Sequence, residues 1–132
     1  MAIDVKWDNK DQTRLHMEFE TSWTWDELDK ALESMDNHLA SVTHAVDVII
    51  DLEGSDIPKD FMKAAQRLLL DPNMGMRPNE GNRVVIGASG WMQKAYNGLK
   101  KTFSKQLNGR DVVFANDLSQ ARGMLYSMRL DN

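Results

Sequence analysis

Few residues in this 132-residue chain have the type and spacing that chemistry demands. Asp47 and Asp51 stand four apart inside an apolar run. On a strand of period two their carboxylates point to one face, where a pair of acids can line a shallow cleft. A phospho-acceptor cluster would also draw acids from the end of a first parallel strand, and an opening hairpin breaks that topology. His16, His38 and His44 show no i, i+4 spacing and no Asp or Glu companion at a fixed interval, so no metal site is indicated. Gly87-Ala88-Ser89-Gly90 opens a helix and is the best candidate anion-binding turn. A helix start offers unpaired N–H groups, Ser89 a hydroxyl, Gly90 room for close backbone approach, and Lys94 a positive charge. The segment has no Gly-x-Gly-x-x-Gly or Walker lysine pattern, and its second glycine comes one residue too early for a nucleophile elbow. A capped strand-to-helix turn without a ligand explains the same residues. The expectation is a chain that is not an enzyme and has no cofactor and no metal.

Further along that helix, Lys94, Lys101 and Lys105 follow one edge at steps of seven and four, with Lys100 and Tyr96 nearby. Such an edge suits an anionic membrane surface or an acidic protein, and equally an ordinary solvated face. The loop 71–82, with Met74 and Met76, is long enough to carry an adaptable contact surface.

The elements that must position these residues follow from periodicity. Ile3, Val5 and Trp7, then Leu15, Met17 and Phe19, alternate with polar residues around the link Asn9-Lys10-Asp11-Gln12, which predicts an antiparallel hairpin. Thr24 and Glu27 form a capping box ahead of a helix. Trp25, Leu28, Leu32, Met35 and Leu39 make its apolar stripe, ending near Ala40 to Val42. Val46 to Leu52 is dense in β-branched residues, as a strand covered on both faces must be. Pro58 suits a first helical turn, and Phe61, Ala64, Ala65, Leu68 and Leu69 continue a helical stripe. Val84-Val85-Ile86 is a short strand. A helix with Trp91, Ala95, Leu99 and Phe103 on one face follows it, then a strand at Val112-Val113-Phe114. Asp117 and Gln120 mark a second capping box, and Leu118, Ala121, Leu125 and Met128 the inward stripe of a last helix. The order β-β-α-β-α-β-α-β-α predicts one α/β domain over 1–132, of α+β-like kind, with a mixed five-stranded sheet.

Composition narrows the function classes. Apolar residues are 42% and charged residues 27%, ordinary globular usage rather than a disordered profile. With no cysteine, disulfides, thiolate metal sites and cysteine nucleophiles are excluded. No signal peptide is visible, and no apolar run approaches the roughly 20 residues of a transmembrane helix, so the expected location is cytoplasmic. The net charge of −4 divides unevenly: residues 1–60 hold 15 acids and 5 bases, residues 61–132 hold 5 acids and 11 bases. An acidic whole argues against nucleic acid as a partner. The basic second half could serve an anionic partner or simply face the acidic half.

Three segments resemble STAS domains, the fold of bacterial anti-anti-sigma factors, and the related SpoIIAA-like proteins. Val46-Asp47-Val48-Ile49-Ile50-Asp51-Leu52 is similar to the family's apolar strand ending in Asp-Leu. The segment from Arg83 to Trp91 resembles the strand-loop-Trp segment of the SpoIIAA-like group. Val113-Phe114-Ala115 with Asp117-Leu118 and Ala121-Arg122 resembles its last strand and closing helix. The resemblance implies a SpoIIAA-like fold and a non-catalytic regulatory or protein-interaction module. By analogy with where the family docks its partners, it places a protein partner at Ser55, Asp56, Lys59, Asp60 and Phe61. The chain departs from the family at one point: Lys59-Asp60-Phe61 stands where a phosphorylatable serine motif belongs, and Ser55 comes earlier in the loop. Asp60 could imitate a phosphate, though a first-turn acid also suits the helix dipole. The alternative is an apolar small-molecule or lipid carrier, since SpoIIAA-like proteins resemble the CRAL-TRIO lipid carriers and this chain holds nine Met and four Trp.

Overall fold

The computed structural model describes residues 2–55, 79–88, 90–102 and 112–130. Strands β1 (Ile3–Trp7) and β2 (Arg14–Phe19) are followed by helix α1 (Trp25–Ala40) and strands β3 (Val46–Asp51) and β4 (Glu80–Ile86). Helix α2 (Gly90–Thr102), strand β5 (Val112–Ala115) and helix α3 (Leu118–Leu130) complete the order. The strands form one five-stranded sheet in the order β1-β2-β3-β4-β5. β1 runs antiparallel to β2, and every other pair is parallel. This is the mixed sheet that the alternation of patterns predicts. The helix expected over 58–69 and the methionine residues of the loop lie outside the described residues, among which there are three helices.

The hairpin register sets Ile3 opposite Phe19, Val5 opposite Met17 and Trp7 opposite Leu15, so one face of the ribbon is wholly apolar. Its turn is held by side chains. The Thr13 N–H donates to Asn9 Oδ1 at 3.1 Å, and Asn9 Nδ2 donates to the Thr13 hydroxyl at 2.7 Å. Gln12 takes φ +56°, uncommon for a residue with a Cβ. At the other end of the ribbon, Thr24 and Glu27 form the expected capping box, and α1 stops at Ala40 with Ser41 as its C-cap. Leu28, Leu32 and Leu39 of α1 are fully buried. Each removal of such a side chain from water is worth about 2 kcal/mol.

Strand parity divides the core in two. Leu15, Met17 and Phe19 of β2 join Val48 and Ile50 of β3 under α1, and Met92 of α2 closes the same cluster. Tyr96 of α2 continues that face with Val85, Val112 and Phe114. Ile49, Val84, Ile86 and Ala115 point the other way and meet Ala121 and Leu125 of α3. Helices α1 and α2 therefore cover one face and α3 the other. All six residues of β3 are buried, as expected for a strand covered on both faces.

Two sequence expectations change. β4 begins at Glu80 and not at Val84, although 71–82 reads as loop. Burial drives the extension: Arg83 donates Nε to Glu80 Oε1, and both side chains are out of solvent. A bulge between Val46 and Val48 adjusts the register there, and Gly81 leaves room for the Asp47 carboxylate that a Cβ would occupy. Asn79, just before the strand, brings Nδ2 within hydrogen-bond range of the carbonyls of Leu39, Val42 and His44 and so closes the end of α1. Tyr96, expected beside a basic edge, is buried, and its hydroxyl accepts from the Val112 N–H at 3.0 Å. The apolar face of α2 therefore includes Met92 and Tyr96, because those positions lie over the sheet.

Arginines of α3 clasp the acidic first half. Arg122 donates to both carboxylate oxygens of Asp8, at 2.7 and 3.0 Å, and Arg14 donates to the same group. Arg129 donates to Asp47 at 2.8 Å and to the carbonyls of Thr13 and Ala45. The Asp8 carboxylate is nearly inaccessible. Burial alone would raise its pKa, but hydrogen bonds from Arg122 and Arg14, with their positive charge, outweigh that effect and hold it below the usual 3.8. A depressed folded value means that Asp8 contributes stability above the ordinary carboxylate range and loses it as pH falls through the folded value. Asp8→Asn should lower the unfolding free energy at pH 7 by about 2 kcal/mol. In urea unfolding, the gap to the unsubstituted chain should narrow as pH falls below about 4. Arg129→Ala leaves Asp47 buried with only the Asn82 N–H as donor and should cost about 1–3 kcal/mol by the same measurement.

Candidate functional site

Because β2, β3 and β4 are parallel, their carboxyl ends meet at one edge of the sheet, the edge at which open α/β sheets hold ligands. Asp51 is the last residue of β3, and Glu18 is its registered neighbour on β2. His16, two residues earlier, points to the same face as Glu18. Its Nε2 lies 2.9 Å from Asp51 Oδ2, and the two side chains are only 5% and 10% exposed. The other oxygen, Asp51 Oδ1, accepts the Glu53 N–H at 3.1 Å. Glu18 is exposed, and one ligand atom from each of the three residues lies within 4.8 Å of the others.

An open cleft of about 640 Å³ adjoins the cluster, lined by Glu18 to Ser22 on one side and by Asp51, Glu53 and Gly54 on the other. Among the described residues that line it, four are acids, Glu18, Glu20, Asp51 and Glu53, and none is basic. The walls are fixed. Trp23 donates Nε1 to the Ser55 hydroxyl at 2.8 Å, joining the loop after β2 to the loop after β3. Trp23 is also edge-on to Phe19 and to Trp25, with ring centroids 5.3 and 5.5 Å apart, the geometry that aromatic pairs favour.

Of the residues expected to bind a partner, Ser55 stands on this rim, half-buried and engaged by Trp23. Asp56, Lys59, Asp60 and Phe61 lie outside the described residues, as does Ser89 of the candidate anion-binding turn. Gly90 begins α2 at the same end of the sheet and is exposed, as is Lys94 one turn on. Gly87 has a structural reason to be glycine. It takes φ +82°, and a Cβ there would collide with the backbone of Leu52 and Glu53. Its freedom serves the close approach of two strand ends.

Spacing along the chain gives no histidine an acidic companion, yet the fold gives one to His16. Its partner comes from 35 residues away, through the parallel pairing of β2 with β3. Spacing within one element cannot reveal such a pair. The readable signal was the alternation that puts His16 and Glu18 on one face of β2 and Asp47 and Asp51 on one face of β3. Asp47 and Asp51 do share that face, but Arg129 takes the first and only the second reaches the cleft.

Ser55→Ala leaves the Trp23 N–H without its acceptor and should destabilise the chain by about 1 kcal/mol in urea unfolding. Amide exchange at 53–55 should quicken at the same time. No family model, curated protein or solved structure matches this chain, so the reading of the site stands on its own geometry.

Proposed function

We propose that the chain is a non-catalytic, STAS-like interaction module, and that it docks a protein partner at the acidic rim where β2 and β3 end. The observation that carries this reading is the cleft whose described lining holds four carboxylates and no basic residue. Such a field favours a segment rich in lysine and arginine, speeds its encounter and selects against acidic competitors. The hydrogen bond between Trp23 and Ser55 supports the same reading, because a rim that is already ordered loses little conformational entropy on binding. The docking segment inferred from the family resemblance begins at Ser55, on this rim, and continues through Asp56, Lys59, Asp60 and Phe61.

Charge reversal tests the idea. Glu20 and Glu53 are exposed and outside the core, so Glu20→Lys with Glu53→Lys should leave the circular dichroism unchanged. On an array of peptides of graded charge, the unsubstituted chain should prefer lysine- and arginine-rich sequences and lose them as salt rises. The double variant should retain them at least about tenfold more weakly, the loss expected when an attractive pair becomes a repulsive one. Equal retention by both proteins would refute the docking surface.

A further inference from the structure

We propose that His16, Glu18 and Asp51 form a binding site for a divalent transition-metal cation, opening into the cleft at the ends of β2 and β3. Two of the three donor atoms are already near one another. His16 Nε2 and Asp51 Oδ2 are 2.9 Å apart, and neighbouring ligands about 2.1 Å from one ion lie roughly 3 Å apart in octahedral and roughly 3.4 Å apart in tetrahedral coordination. The backbone holds this pair. Asp51 is oriented through its second oxygen by the Glu53 N–H, and both side chains are buried in the sheet face.

Glu18 supplies the third donor. Its registered position opposite Asp51 puts a carboxylate oxygen within 4.8 Å of the other two atoms. The side chain is exposed, so a rotamer change can close the remaining distance without disturbing the core. Three protein ligands leave coordination positions facing the cleft, where water or a group from a bound molecule would complete the shell. The surrounding charge favours a cation: Glu20 and Glu53 add two more carboxylates to the lining, which among the described residues holds no lysine or arginine. The nearest basic residue along β2, Arg14, is engaged by Asp8.

The donor set also selects the ion. An imidazole with two carboxylates suits Zn²⁺, Mn²⁺ or Fe²⁺, whereas Mg²⁺ and Ca²⁺ prefer oxygen alone. Ligation needs the lone pair on Nε2. The metal-bound ring therefore carries its one proton on Nδ1. The site shares Glu18 and Asp51 with the proposed docking rim, but all three ligands belong to this chain, so cation binding is measured without a partner.

Isothermal titration of the chelator-treated full chain with Zn²⁺ tests the proposal. One Zn²⁺ per chain is expected, with excess Mg²⁺ unable to displace it. Glu18→Gln alters only an exposed side chain, and Asp51→Asn preserves the shape of a buried one. Each should weaken Zn²⁺ by at least about tenfold, a loss already common when a partner one shell beyond the metal is removed. Circular dichroism checks the fold of each variant, and Glu18→Gln alone decides the matter if Asp51→Asn does not fold. Absence of Zn²⁺ binding, or an affinity unchanged in the folded variants, would overturn the site.

Discussion

The fold turns on a single strand that is buried on both faces and yet carries two carboxylates. A buried carboxylate must be given donors or opposite charge. On β3 each of the two recruits a different set of partners. Asp47, at the start of the strand, takes the guanidinium of Arg129 and the N–H of Asn82. Asp51, at its end, takes the imidazole of His16 and the N–H of Glu53. The first set ties down α3 and the bulged beginning of β4. The second fixes β2 against β3 and shapes the loop that walls the cleft. Structural and candidate functional chemistry thus sit at opposite ends of one strand, on one face, under one steric rule.

The uneven distribution of charge along the chain has a matching explanation in space. The ion pairs Arg122 with Asp8 and Arg129 with Asp47 join the basic second half to the acidic first half across α3. Glu18, Glu20 and Glu53, among the acids that these arginines do not reach, lie at the other end of the strands, beside Asp51. A net charge of −4 is therefore a poor description of the surface. One end of the sheet is neutralised within the molecule, and the cleft at the other end keeps its negative charge.

Much of the fold could be read from residues in order, because the signals were local. Thr24 and Glu27 marked the start of α1, and alternation around Leu15 and Met17 gave the hairpin with its apolar face. At Asp117 the local signal was only half right. The Gln120 N–H does bind the Asp117 carboxylate, but the Gln120 side chain reaches back to the N–H of Asn116, one residue before the cap. Where sequence reading fell short, the deciding interaction was distant. β4 extends to Glu80 because the pair of Glu80 and Arg83 is buried by the fold, which no propensity reveals. Tyr96 reads as a surface ring and is a buried one whose hydroxyl accepts from the backbone of β5. The cluster of His16, Glu18 and Asp51 exists only once parallel pairing and register are set, and neither is encoded by spacing within a single element.

The placement of α3 has a bearing on how the molecule assembles. Ile49, Val84 and Ile86 form an apolar strip on β3 and β4, and among the described residues Ala121 and Leu125 of α3 pack against it. During synthesis every strand of the sheet leaves the ribosome before that cover is made. Contacts spanning more than a hundred positions, such as Arg122 to Asp8, carry a large loop-closure cost and form slowly. Until α3 folds back, the part of the strip under Ala121 and Leu125 is without their cover, and exposed apolar surface of that kind is what chaperones shield and what aggregates when crowded.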